Sequence, residues 1–325
     1  MVQEDGAIPG FRSRLLSVGR GSVFVREGGA GPAVLLLHGF PETGLMWHRV
    51  APLLAADFAV VAADLPGYGR SSCPDDVDRH ASMSKRAMAA TLVDAMRAAG
   101  HDRFAVIGHD RGGRVAYRAA LDHPRSISKV AVLDVVPILD VWERADARLA
   151  LAFWPFSLLA QPSPLPERLL SAAPDAVVDN AIAEWGSPPE AFPSWLREAY
   201  VHALRDLAHV HAICEEYRAA AGVDREHDQA DRDAGRRIEC PLLALWSDSG
   251  GLASWYADVG GPLGLWRRWA QDVRGQPLSG GHFFAEEEPD LVADLVRAFL
   301  KEESQSAAIA TMKSAQASNE ANVRT

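Results

Sequence analysis

The sequence predicts an α/β fold, with a mostly parallel sheet, helices on both faces and a helical cap inserted after the sixth strand. Three observations point there. Continuous apolar runs recur at 33–37, 58–62, 104–107, 130–133 and 242–246, and such runs suit strands buried on both faces. Helical stretches lie between them, notably 85–99 and 111–121, and this alternation is the pattern of a parallel sheet. The alternation then stops: residues from about 137 to 235 carry aromatics and helical patterns but no buried-strand run.

Taken in order, 15–27 reads as two short strands around Gly19-Arg20-Gly21. The next four runs bring the strand count to six. Pro162, Pro164, Pro166, Pro188, Pro189 and Pro193 then divide the insertion into short helices. Strand signal resumes at Pro241, and a helix over 289–300 closes the core. The expected organisation is a core over 1–136, a cap over 137–235, a second core part over 236–302 and a disordered, Ser/Ala/Gln/Asn/Lys-rich tail over 303–325. A helical insertion at that point covers the carboxyl ends of the strands, where such sheets bind ligands.

Composition narrows the function. The chain has 325 residues, 48% of them apolar, enough for a sizeable core. Its formal net charge is −10 and no Lys/Arg-dense stretch appears, which argues against nucleic acid or an anionic membrane as partner. Cys73, Cys214 and Cys240 are few, odd in number and scattered, as in a reducing compartment. The N-terminus lacks a signal pattern and no apolar run spans a bilayer, so a cytoplasmic protein is expected. The scattered histidines suggest no metal site and no cofactor motif appears; Gly67-Tyr68-Gly69 reads as a turn.

The chemistry is concentrated at Gly108-His109-Asp110-Arg111-Gly112, which follows a buried strand and opens a helix. Small–x–nucleophile–x–small in that context is the nucleophile elbow of the α/β-hydrolase fold. The tip residue is usually serine; here it is Asp110. A carboxylate forms an unstable anhydride with an acyl group but a workable ester with an alkyl carbon. Asp110 therefore points to displacement at sp3 carbon, in a carbon–halogen bond or an epoxide. The loop His38-Gly39-Phe40-Pro41 is placed to supply backbone N–H groups, with the Arg111 N–H as a second donor. His282, between glycines and Phe283 late in the core, suits the base that activates water. Two acids could orient it: Asp134, directly after a strand and the favoured choice, or Asp248 in the turn Ser247–Gly250. Arg111 and Arg114 could grip a substrate carboxylate.

At these residues the chain resembles the fluoroacetate (haloacetate) dehalogenases of the α/β-hydrolase superfamily, a branch related to the epoxide hydrolases. Matching stretches include Pro9–Phe11, His38–Thr43, Met46–Pro52, Ala63–Gly69, Lys85–Ala89, Gly108–Gly112 with Arg114, Val132–Asp134, Leu159–Pro162, Cys214–Arg218 and Gly281–Phe283. The resemblance implies Asp110 as nucleophile, Asp134 as acid, His282 as base, and Arg111 and Arg114 as holders of the substrate carboxylate. Phe40, Trp185 and Tyr217 join them as substrate-binding residues, with Tyr217 donating to the departing halide. Water is the co-substrate, and a homodimer is implied. One departure stands out. Where the family carries a His-Trp pair that binds fluoride, this chain has Pro155 and Phe156. Neither side chain donates, so chloro- and bromo-acids are expected to be better substrates than fluoroacetate. The alternatives are an epoxide hydrolase, with Tyr200 or Tyr217 as ring-opening acid, and a non-enzymatic ligand-binding relative.

Overall fold

The computed structural model describes residues 6–75 and 78–302; the tail expected over 303–325 lies outside the described residues. Eight strands form one sheet: β1 (Arg12–Val18), β2 (Gly21–Gly28), β3 (Ala33–Leu37), β4 (Ala59–Ala63), β5 (Phe104–His109), β6 (Ile127–Leu133), β7 (Leu242–Ser247) and β8 (Val273–Leu278). Their spatial order is β1-β2-β4-β3-β5-β6-β7-β8. β1 and β2 form an antiparallel hairpin, and β2 lies antiparallel to β4. The remaining pairs are parallel. Every residue of β3, β5 and β7 is buried, which is why these strands read as unbroken apolar runs rather than alternating ones.

β8 escaped the sequence reading. Its residues, Val-Arg-Gly-Gln-Pro-Leu, are polar and half-exposed, because it pairs with β7 alone and forms the sheet edge. An edge strand accommodates Pro277, whose missing N–H a central strand would need.

Between β6 and β7 the chain makes only helices, from Ile138–Glu143 to Val223–Asp233. Several begin at or just after a proline: Pro155–Leu158, Leu165–Ala172 and Ser194–Ala203. Proline's fixed φ and missing N–H suit a first helical turn. Among the described residues no helix is long and apolar enough to cross a membrane.

The topology fixes where a site can form. β3 has β4 on one side and β5 on the other, so successive connections leave in opposite directions there. The loops after β3 and β5 diverge and open a crevice at the strand carboxyl ends. His38, immediately after β3, is buried, and its Nε2 accepts the Leu65 N–H at 2.9 Å. This bond ties the chain leaving β3 to the chain leaving β4.

Candidate active site

The turn after β5 brings strand and helix backbones into close contact. A Cβ at Gly108 would lie 2.2 Å from the Gly112 carbonyl oxygen. One at Gly112 would lie 2.5 Å from the oxygen of His38 and 2.6 Å from that of Leu37. Strand and helix backbones nearly touch, so both positions exclude a side chain. Asp110 opens the helix Asp110–Asp122 with φ of 42°. A non-glycine residue in this left-handed region carries strain of about 1–3 kcal/mol, and the strained turn pushes the carboxylate out over β3. There Gly39 makes room for it: a Cβ at Gly39 would come within 2.6 Å of Asp110 Cβ.

Asp110 is 7% exposed, and its carboxylate is held at both oxygens. Oδ2 accepts the Phe40 N–H at 3.1 Å, and Oδ1 accepts from Arg114 Nη1 at 2.8 Å. Burial works against ionisation, but Arg114, His282 and Arg111 together outweigh it and hold the carboxyl well below its usual range. Asp110 is therefore an anion at any working pH.

His282 Nδ1 lies 2.6 Å from Asp134 Oδ2, with both groups buried. The other oxygen of Asp134 accepts the Ser247 N–H at 3.0 Å. Like Asp110, Asp134 has a positive φ, 51°, at a strand end. Asp248 is exposed, and its carboxylate accepts from Ser279 Oγ at 3.3 Å instead. The His282 ring is walled by Trp185, Phe153 and Phe283 at centroid distances of 5.3, 5.9 and 5.0 Å.

The two arginines sit differently. Arg114 is ion-paired to Asp110 itself. Arg111, fully buried, donates through Nε to Glu216 Oε1 at 2.7 Å. Its Nη1 and Nη2 are buried without a hydrogen-bond partner among the described residues, so the end of this guanidinium is unsatisfied. Glu216 comes from the helix Leu207–Ala221 and also takes the Tyr68 hydroxyl at 2.5 Å and the Lys85 ammonium. Burial opposes its charge, yet Arg111 and Lys85 keep its carboxyl below the usual range.

Tyr217 lies under Arg111, whose guanidinium carbon is 4.0 Å from the ring centroid. Its ring also meets Phe40 edge-on at 5.8 Å and Phe156 at 5.9 Å. Burial pushes its phenol well above the usual range, so it stays protonated. Trp185 is oriented otherwise: its indole N–H donates to the Ala152 carbonyl at 3.0 Å, leaving a ring face for His282 and no donor for a ligand. Phe156 stands 5.1 Å from the Arg114 guanidinium and 5.6 Å from that of Arg111. Trp154 does not replace the missing donors, because its indole N–H is bound to Asn180 Oδ1 at 2.8 Å.

A small cavity of about 20 Å3 joins Asp110, Arg114, Asp134 and His282 to Phe153, Phe156 and Tyr256. That is room for roughly one water, so an occupant must be small or must part the helices above. Phe40, Arg111, Trp185 and Tyr217 do not line this cavity. Sequence reading did not single out Phe153, Tyr256 or Glu216. Glu216 lies inside a quoted stretch, but only the fold brings it to Lys85 and Arg111. Among the described residues no cluster of His, Cys, Asp and Glu could hold a metal ion.

Comparison with known proteins agrees with this architecture. A family profile of the alpha/beta hydrolase fold matches residues 32–162. The chain is 42% identical to a fluoroacetate dehalogenase of Burkholderia sp over 90% of its own length and 95% of that protein's. It is 27% identical to a soluble epoxide hydrolase of Corynebacterium sp. over 83% of its length and 91% of that protein's. A solved structure from Nostoc sp PCC 7120, assigned to the alpha/beta hydrolases, superimposes with a TM-score of 0.87 at 39% identity, covering 93% of this chain and 100% of that one. The chain belongs to the α/β-hydrolase family, in its fluoroacetate dehalogenase-like, epoxide hydrolase-related branch, and is a hydrolase.

Proposed function

We propose that this hydrolase displaces halide from small 2-halo acids through an ester of Asp110. The observation that carries this reading is the elbow tip: a buried, ionised carboxylate that lines the cavity, with one oxygen on a backbone N–H and the other on Arg114. The substrate carboxylate binds the unsatisfied Nη groups of Arg111 and draws Arg114 from Asp110. Oδ1 then attacks the carbon bearing the halogen; the carbon–oxygen bond forms as the carbon–halogen bond breaks, and halide leaves with the electron pair. Tyr217 donates to the departing ion. His282, oriented by Asp134, takes a proton from water, and the hydroxide adds to Asp110 Cγ. The Phe40 N–H holds the resulting oxyanion. Collapse expels the hydroxy acid, its oxygen protonated by His282, and leaves Asp110 as a carboxylic acid. This gives up its proton, the one the net hydrolysis produces, to solvent by way of His282 and becomes the carboxylate again. The helices between β6 and β7 act as the cap that keeps bulk water out.

Chloride and bromide are released faster than fluoride. Fluoride is strongly hydrated and leaves poorly, so it depends on donors in the transition state. Pro155 and Phe156 supply none, and each absent donor costs about 2–4 kcal/mol by analogy with an oxyanion hole. For an epoxide, Tyr217 is the ring-opening acid that remains, because Tyr200 is bound to Glu286 Oε1 at 2.7 Å.

Mass spectrometry of His282→Ala after exposure to chloroacetate, fluoroacetate and a styrene-oxide-type probe tests the proposal. The expected product is an adduct on Asp110 from chloroacetate. An adduct from the epoxide alone moves the protein to the epoxide hydrolases. No adduct from any probe ends the alkyl-ester reading. Equal rates of fluoride and chloride release by the native protein would make the lost donors irrelevant.

A further inference from the structure

Beneath the catalytic loops lies a buried chain of titratable groups that the reaction above does not use. Glu42 is 1% exposed, and His109 and Glu286 are fully buried. Glu42 Oε2 accepts the Gly39 N–H at 3.1 Å and lies 3.0 Å from His109 Nδ1. His109 Nε2 lies 2.9 Å from the carbonyl oxygen of His282. The Tyr200 hydroxyl donates to Glu286 Oε1 at 2.7 Å. Glu42 Oε1 and Glu286 Oε2 find no other donor among the described residues, and the two carboxyl groups lie against each other, where only a proton carried by one of them can join the pair.

These contacts count the protons. A carbonyl oxygen only accepts, so His109 Nε2 carries a hydrogen. The contact between His109 and Glu42 needs one more, and the contact between Glu42 and Glu286 a third. Three protons on two carboxyls and an imidazole give zero net charge. This holds whether the chain is written as imidazolium, carboxylate and acid, or as imidazole and two acids. A neutral chain is what a site this far from water tolerates.

We propose that Glu42, His109 and Glu286 are positioning residues sharing three protons in a charge-neutral chain, that this chain sets the oxyanion loop, nucleophile and base relative to one another, and that loss of one proton ends activity on the alkaline side. The attachment points fit that role. Gly39 precedes Phe40, the donor to Asp110 Oδ2. His109 precedes Asp110, and the accepting carbonyl belongs to the base. Removing a proton leaves two acceptors facing each other at one of the joints, and the backbone there must move. The groups facing the chain are Asp110 and His282 at Glu42, Tyr200 at Glu286 and His38 at His109. Arg49 reaches only the Glu286 carbonyl, at 3.0 Å. Burial pushes Glu42 up to about 7, and burial together with the charge of Glu42 pushes Glu286 well above its ordinary range. A proton therefore stays between them at neutral pH.

The test uses the full chain. The infrared difference between the native protein and Glu286→Gln should show a protonated-carboxyl band at neutral pH that fades in alkali; the subtraction removes the band of Asp228, which is raised as well. The kinetic half rests on the function proposed above and is read from the pH profile of halide release. Glu286→Ala should lower kcat about tenfold or more while KM changes less than about twofold. Glu286→Gln, which still accepts from Tyr200 and donates to Glu42, should recover part of that loss and displace the alkaline limb. Glu42→Gln should displace it too and serves if the Glu286 variants do not fold. Absence of the infrared band overturns the proton count. An alkaline limb identical in native and Gln proteins overturns the positioning role. If no haloacid is turned over, the proposed function fails, and the infrared band still decides the chain.

Discussion

Replacing Glu216 by glutamine should destabilise the protein by about 3–5 kcal/mol, because it breaks a buried ion pair and leaves the cations behind. Glu216 and Arg111 are both fully buried, and Lys85 is 1% exposed. A glutamine oxygen can still accept one hydrogen bond, but no full charge then opposes Lys85 and Arg111 from that side. The nearest compensation for Lys85 is Asp224, whose Oδ2 is 3.8 Å away, which favours the lower end of the range. Urea unfolding followed by fluorescence of the nine tryptophans measures the loss. Adding Lys85→Met removes one stranded cation and should return about 1 kcal/mol or more, since residues sharing one network do not act additively. Kinetics supply a second readout: Arg111 loses its anchor, so KM for a haloacid should rise. A loss below about 1 kcal/mol, the range of exposed pairs, would refute the view that Glu216 holds the helical segment and the arginine together.

Three further outcomes are expected. Asp134→Asn should lower kcat about 10⁴-fold by favouring the wrong tautomer of His282, whereas Asp248→Asn should behave like the native protein; the reverse result would transfer the acid to Asp248. Gly112→Ala should cost at least about 4 kcal/mol, because its Cβ would meet the His38 oxygen at 2.5 Å; a native melting temperature would show that the elbow backbone yields. Asp228 is pushed up to about 7, chiefly by burial, with the Tyr117 hydroxyl and Arg118 pulling the other way. Its raised pKa means that its contribution is complete below the unfolded carboxyl range and is lost as pH rises through about 7. Melting temperature should therefore fall as pH rises from the ordinary carboxyl range to about 7 and level off above it, less steeply in Asp228→Asn, and identical slopes would refute the assignment.

Much of the fold was visible in the chain because burial writes itself into composition. β3, β5 and β7 are covered on both faces, so they appear as apolar runs with no alternation. β8 is covered on one edge only and left no such mark. The elbow was visible for a steric reason, since the crossing of strand and helix admits no side chain at Gly108 or Gly112.

The site divides along the same line. Asp110 could be singled out because its neighbours in sequence are also its neighbours in space. Which acid faces His282 could not, because both candidates follow strands, and only the packing of β6 beside β7 puts Asp134 within 2.6 Å. Glu42, His109, Glu216 and Glu286 look like ordinary polar residues in the sequence. Apart from the Gly39 N–H beside Glu42, their partners lie 67 to 244 positions away, the longest being Glu42 to Glu286. What the sequence determined by itself was local: strand, turn, helix and a carboxylate at the tip. What only the tertiary structure decided was which buried charges meet, because an ion pair or a shared proton is set by distance in space, and chain separation carries no record of it.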